Sequence, residues 1–318
     1  MVLGTHSSRE TAGYIGDPLA GYRAARAQEP LFDVRDVASV GYDELVSESG
    51  AIRPAWQELT DCVHERGRPG LDQLRRRVRE LVDNDGITTT DSEAEVDAWQ
   101  LDALPLLLST EDWATLESGV VQRSRLLDAV LTDLYGDCRS ITSGVLPAQL
   151  LYAHPGYVRA ARGIAVPGRH QLFLHGCDVS RHSDGTFAVN ADWTQAPSGA
   201  GYALADRRVI AHAVPDLYER VAPRPASPWA QALRLALIDA APEAAQEPVV
   251  VVLSPGIHSE TAFDQAYLAS VLGFPLVESA DLVVREGKLW MRSLGTLKRV
   301  DVVLRRVDAD YADPLDLR

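Results

Sequence analysis

The sequence predicts an α/β (α+β) chain: a helical N-terminal region, a central antiparallel hairpin, and a C-terminal layered αβ unit. Three observations carry this. Apolar residues recur at helical spacing between Arg53 and Leu134. Two alternating runs, residues 171–181 and 186–192, flank Ser183-Asp184-Gly185, and Asp-Gly between such runs signals a two-residue hairpin turn. Residues 249–253 form a continuous Val-Val-Val-Val-Leu run, typical of a strand buried on both faces.

Residues 1–40 lack sustained periodicity and read as an irregular arm. Residues 41–145 form the helical region. Pro54 suits a first helical turn, and Trp56, Leu59 and Val63 follow at helical spacing. Leu71, Leu74, Val78 and Leu81 continue the pattern until Asn84-Asp85-Gly86 stops it. A longer helix starts at Thr110 and carries Leu116, Val120, Leu127, Val130 and Leu134 before Gly136. Both apolar stripes are expected to be core.

The hairpin unit, residues 146–225, continues into a helix over 203–212. Pro223, Pro225 and Pro228 mark a boundary near residue 225, and a helix over 228–241 follows. In residues 226–318 the Val run leads through Ser254-Pro255-Gly256 into a helix with Phe263, Tyr267, Leu268 and Val271. A short strand at Leu276-Val277, a hairpin tipped by Glu286-Gly287, and a strand over 300–304 complete a mainly parallel αβ unit.

Composition excludes several function classes. Of 318 residues 46% are hydrophobic, enough for sizeable cores in two or three domains. A net charge of −14 argues against general nucleic-acid binding, which needs a basic surface. The one dense basic cluster, Arg75-Arg76-Arg77 with Arg79, reads as a solvated helix face. Cys62, Cys138 and Cys177 are few, odd in number and widely spaced, which fits a reducing compartment. With no signal-peptide pattern and no bilayer-length apolar run, the expected location is the cytoplasm, away from membranes.

Chemistry concentrates after the hairpin, in Asn190-Ala-Asp-Trp-Thr-Gln-Ala-Pro-Ser-Gly-Ala-Gly-Tyr202. Glycines there let backbone approach a ligand, and successive N–H groups suit an oxyanion or phosphate. An ordinary hairpin with a surface loop fits the local pattern equally well. Ser254-Pro255-Gly256 before a helix also invites a phosphate, but lacks dinucleotide-binding and P-loop glycine spacing, so a structural turn is favoured. His170, His175, Cys177 and His182 lack the paired spacing of a closed zinc site. No nucleophile elbow occurs.

Counting outward from a two-residue turn places Asp178 opposite Ala191, and Asp192 on the other face beside Cys177. Arg305 and Arg306, at a strand end, carry guanidinium forks that suit bidentate bonding to a carboxylate.

The segment from Asp192 to Leu204 resembles a signature of the circularly permuted ATP-grasp type 2 family, relatives of glutathionylspermidine synthase-like ligases. Further segments agree in order: Tyr42-Asp-Glu44, Arg53-Pro-Ala-Trp56, Gln122-Arg-Ser-Arg-Leu-Leu-Asp128, Leu134-Tyr-Gly136, His154-Pro-Gly-Tyr157, Ser254-Pro-Gly256, Leu304-Arg-Arg-Val-Asp-Ala-Asp310 and Asp313-Pro-Leu315. The resemblance implies an ATP-grasp-like metal and loop half-module over 146–225 and a Rossmann-like substrate domain over 226–318.

It also implies an ATP-dependent carboxylate–amine ligase working through an acyl phosphate, with ATP and magnesium as cofactors and small-molecule or peptide carboxylates and amines as substrates. Asp178 matches the first metal carboxylate and Asp192 a second. Gln195 and Ser198 would be catalytic beside Arg305 and Arg306, and Gly199 and Gly201 would line the phosphate pocket.

Departures are visible. Ala191 and Trp193 stand at the positions of a metal-binding Glu and Asn, and neither offers the hard oxygen that magnesium needs. Asp192 could replace them only if a bulge turned it to the Asp178 face. Ala205-Asp206-Arg207 replaces a Glu-Asn-Arg ending. The only lysines, Lys288 and Lys298, match no phosphate-gripping role. The family continues beyond the position of Arg318, so the expectation is a fragment or a naturally shortened member that carries half of an active site, with a protein partner as the possible source of the other half-module. The alternative is a non-catalytic binding or assembly subunit that keeps the fold.

Overall fold

In the computed structural model, which describes residues 19–27, 41–90, 95–166, 168, 170–242 and 245–308, helices precede the hairpin and mixed αβ structure follows it. Part of the stretch expected to be irregular is helical: α1 spans Ala20–Ala27. Tyr22 donates to Asp43 at 2.6 Å, and Arg26 pairs with the same carboxylate at 2.9 Å. The remainder of that arm lies outside the described residues, as does the Asp313-Pro-Leu315 segment.

Pro54–Trp56 form a 3-10 turn into α2, Gln57–Asn84. Proline fits there because a first-turn N–H has no partner inside the helix. Gly67, with φ 57° and ψ −174°, and Pro69 bend α2 between its two apolar stretches. Leu59, Cys62, Val63, Leu74, Val78 and Val82 face inward. Gly86, at φ 63°, turns the chain after the helix. A small antiparallel ribbon follows, β1 (Thr88–Thr90) with β2 (Val96–Ala98), too short for an alternation signal.

Helix α3, Thr110–Leu134, begins where the sequence predicts, with Ser109 accepting the Asp112 N–H at 3.0 Å. Its apolar stripe is not core, however: no residue of α3 is buried. Short helices α4 (Arg139–Thr142) and α5 (Ala148–Tyr152) follow. The hairpin pairs β3 (Gly176–Arg181) with β4 (Phe187–Trp193). Beyond it lie α6 (Ala200–Ala213), α7 (Pro215–Val221) and α8 (Ser227–Asp239).

The C-terminal unit comprises β5 (Val250–Leu253), α9 (Ala262–Leu272), β6 (Leu276–Val277), β7 (Leu282–Arg285), β8 (Lys288–Ser293), β9 (Thr296–Arg299) and β10 (Val302–Arg305). Strands β10, β5 and β6 form a parallel sheet in that order, with β5 central. The β-branched run is buried on both faces as its pattern predicts. Val250 and Val252 meet Leu233, Leu237, Leu268 and Leu272 of α8 and α9. On the other face Val251 meets Met291 and Val300, beneath the β7–β8–β9 meander. Each fully buried valine contributes about 2 kcal/mol.

A second core joins α2 to α6 and α7 through Val63, Val78, Val209, Val214 and Leu217. Phe263 and Tyr267 of α9 lean on this cluster, so α9 serves both cores. Tyr202 of α6 stacks on Trp99 with ring centroids 4.2 Å apart and donates to the Thr88 carbonyl at 2.7 Å.

Candidate functional site

The hairpin reaches its expected register by an unexpected route. His182 N–H bonds to the Thr186 carbonyl at 2.8 Å, and Gly185 N–H to the His182 carbonyl at 2.9 Å. The loop is therefore Ser183-Asp184-Gly185, three residues rather than two, with Gly185 at φ 87°. Val179 then pairs with Val189 but Asp178 with Ala191, leaving Asn190 as a bulge. The extra loop residue and the bulge cancel. Asp178 faces Ala191, and Asp192 faces Cys177.

Residues carrying the family resemblance turn out to clamp this hairpin onto α3. Arg123 grips Asp192 with two bonds of 2.6 Å. Ser124 Oγ lies 2.7 Å from His175 Nδ1, and His175 Nε2 is 3.1 Å from Asp192. Asp128 accepts the Leu172 N–H at 2.9 Å and sits 2.7 Å from His170. Farther along, Arg181 bonds Glu44 at 2.8 Å and Asp112 at 2.6 Å, and lies over the Tyr42 ring. Arg53 covers the same ring at 4.2 Å.

Below the hairpin a cleft of 870 Å³ opens between β3–β4, the loop before α6 and the ends of β5 and β10. Asp178, Gln195, Ser198 and Arg306 all line it. Its floor lies at the carboxyl ends of two adjacent parallel strands, where the chain leaves β5 toward β6 on one side and returns in β10 on the other. Open αβ sheets bind ligands at such switch points.

At the floor, Asp264 of α9 is 0% exposed. Its Oδ1 accepts the N–H groups of Gly199 at 3.1 Å, Gly201 at 2.6 Å and Tyr202 at 3.3 Å. A carboxylate from α9 thus caps the start of α6, where N–H groups lack helical partners. Arg306 Nη2 stands 3.5 Å from Asp264 Oδ2, with the Arg306 side chain only 1% exposed. Burial pulls the Arg306 guanidinium below its usual value, and Asp264 partly opposes this.

Several expected site residues are placed differently. The N–H groups of Gly199 and Gly201 are committed to Asp264, so they offer no open phosphate cradle. Gly201 instead permits close helix packing: a Cβ there would overlap the Asp264 carbonyl oxygen, with Asp264 Cα and C at 2.9 Å. Arg305 does not line the cleft; strand alternation sends it to the opposite face from Arg306. Asp192 stays on the far face, held by Arg123 and His175, because the bulge falls at Asn190 and leaves Asp192 opposite Cys177.

Magnesium does not fit the described residues. Asp178 Oδ2 already accepts the Trp193 indole N–H at 2.9 Å, and Ala191 offers no oxygen. Among the described residues no group of three His, Cys, Asp or Glu side chains is placed to hold a metal. Burial, then Asp192, pushes the Cys177 thiol up, away from the thiolate that zinc takes. Lys288 and Lys298 lie exposed on the β7–β9 meander, outside the cleft lining.

Two contributors were missed in the sequence. Trp193, 52% exposed, forms a flat wall of the cleft. Asp264 had only one signal, an acidic residue in the first turn of an otherwise apolar helix.

The clamp has a pH signature. The Arg123 hydrogen bonds, then that of His175, hold the Asp192 carboxyl below its ordinary range, against an opposing effect of burial. A carboxyl lowered on folding stabilises at neutral pH, and that stabilisation is lost as pH falls through the folded value. Asp192→Asn should therefore lower the Tm at pH 7, and the gap from the parent should close in acid. A gap independent of pH would contradict the clamp.

Residues 105–318 match the model of a circularly permuted ATP-grasp family. Uncharacterized proteins of Mycobacterium tuberculosis and Mycobacterium bovis are 69% identical over 324 residues, covering 98% of this chain. The chain spans 37% of the length of those relatives. An uncharacterized Synechocystis protein is 33% identical over 276 residues, covering 86% of this chain and 57% of its own length. No described helix is long and apolar enough to cross a membrane. The chain belongs to the circularly permuted ATP-grasp family.

Proposed function

We propose that this chain forms part of an ATP-grasp-type carboxylate–amine ligase that makes an amide bond through an acyl phosphate. The observation that carries this is the cleft itself. It brings Asp178, Gln195 and Ser198 of the hairpin and loop to a switch-point crevice floored by Arg306. In the reaction a carboxylate oxygen takes the γ-phosphoryl group of ATP and ADP leaves. An amine then attacks the acyl carbon, phosphate departs, and the nitrogen loses a proton.

Gln195 and Ser198, exposed at the cleft, would orient the acyl group by hydrogen bonds. Arg306 would hold negative charge. With Asp178 bonded to Trp193, these residues supply the acceptor-substrate side of the site, and no step here runs through a metal. That same contact favours a second reading, a ligand-binding module that performs no chemistry.

The ligase reading is tested on the longer Mycobacterium tuberculosis relative, supplied with ATP, peptide carboxylates and hydroxylamine. ADP released together with an acyl hydroxamate is expected. AMP and pyrophosphate, or hydroxamate formed without ATP, would refute an acyl phosphate.

A further inference from the structure

Asp206 of α6 is a half-buried carboxylate without a cation to meet it. Its Oδ1 accepts the Trp99 indole N–H at 3.0 Å, and its Oδ2 has no partner among the described residues. Arg207, next in the helix, turns its Nη1 to the Arg224 carbonyl instead. Burial pushes the Asp206 carboxyl up, and the Trp99 hydrogen bond is what opposes this.

Asp206 lines a second cavity, of 330 Å³, between α6, α7 and the irregular chain before α3. Its walls are apolar: Leu104 and Leu107 come from that chain, Ile210 from α6, and Leu217 and Val221 from α7. The other charged groups on the lining are Arg207 and the exposed Asp102. The cavity shares no lining residue with the cleft around Arg306.

The pairing of these walls with that carboxylate selects a ligand. Cavities of this size take small molecules, with apolar walls supplying burial and a few polar groups fixing orientation. A carboxylate among apolar side chains is costly without a cation, because burial strips its hydration. An anion would meet Asp206 and Asp102, and a neutral molecule would leave the charge uncompensated. An ammonium group supplies a charge-assisted hydrogen bond, and an apolar body covers the leucine and valine surface.

We propose that this cavity binds a small apolar amine, its ammonium on Asp206 Oδ2 and its alkyl or aryl body against Leu104, Leu107, Ile210 and Val221. Binding there requires neither ATP nor the cleft, so it stands or falls apart from the ligase reading.

The test uses the 318-residue chain labelled with 15N-tryptophan and follows the Trp99 indole N–H signal, identified by its loss in Trp99→Phe. Three probes are titrated: 2-phenylethylamine, 2-phenylethanol and ethylamine. 2-Phenylethylamine should move the signal saturably and bind roughly tenfold more tightly than 2-phenylethanol, the margin of one charge-assisted hydrogen bond. Ethylamine keeps the head without the body and should bind more weakly than 2-phenylethylamine. Asp206→Asn keeps the volume and the acceptor for Trp99 but loses the charge, so in it amine and alcohol should bind alike. Calorimetry on the unsubstituted chain gives the same order of affinities if either variant does not fold. An alcohol or ethylamine that binds as tightly as 2-phenylethylamine, an amine preference that survives in Asp206→Asn, or a signal moved by no probe would each overturn the proposal.

Discussion

Asp264→Ala is expected to destabilise the chain by about 4 kcal/mol. The substitution removes three things together. The N–H groups of Gly199, Gly201 and Tyr202 lose their shared acceptor. Arg306 loses its one ionic partner among the described residues while its side chain stays 1% exposed. A fully buried side chain is replaced by a void between α6 and α9. Asp264→Asn keeps an acceptor oxygen and the volume but loses the charge, so it should cost about half as much. Urea unfolding distinguishes these, with the midpoint falling and the m-value unchanged. Loss of less than about 0.5 kcal/mol in Asp264→Ala would place the cap and the ion pair outside the fold's stability.

Gly201→Ala should cost about 3 kcal/mol through overpacking. The added methyl collides with Asp264 backbone atoms rather than with a side chain that can swing away. Helices α6 and α9 would have to separate, loosening both cores that α9 serves. Alanine's better helix propensity returns only about 1 kcal/mol. Gly199 offers the contrast. A Cβ there meets nothing within 4 Å, but φ is 104°, which alanine adopts with strain. Gly199→Ala should therefore cost about 1 kcal/mol, by backbone strain alone. Equal midpoints for the two variants in urea would contradict the packing role of Gly201.

The readable parts of the sequence were those with local signals. The Val run gave β5 its central, doubly covered place because β-branched continuity and burial on two faces are the same fact. The hairpin was readable, though its loop was one residue longer than Asp-Gly implies and a bulge at Asn190 absorbed the difference. Helix α7 was missed between two prolines, and β9 was missed because the Leu294-Gly295 turn makes a second hairpin without an Asx-Gly pair.

Helix α3 shows a different limit. Its apolar stripe suggested a core face, yet the side chains that fix it to the hairpin are Asp112, Arg123, Ser124 and Asp128. Hydrophobic periodicity cannot register an interface built from ion pairs.

The site followed the same division. Asp178, Gln195, Ser198 and Arg306 were legible by residue type and do line one cleft. The glycines were read for their freedom to approach a ligand, whereas Gly201 serves close helix approach and Gly199 its positive φ. Arg305 and Arg306 could not be separated until the strand end fixed their faces. Asp264 lay beyond local reasoning, because the N–H groups it caps are more than sixty residues away in sequence.

Calorimetric titration of the 318-residue chain with ATP, with and without magnesium, tests most directly whether these residues form the acceptor-substrate side alone. Asp178 is bonded to Trp193, Ala191 offers no oxygen, and neither lysine lies on the cleft. A triphosphate keeps its hydration where so few groups replace it. The expected result is no submillimolar, magnesium-dependent binding. Submillimolar affinity that requires magnesium and disappears in Asp178→Ala would contradict this and place the nucleotide site within these residues.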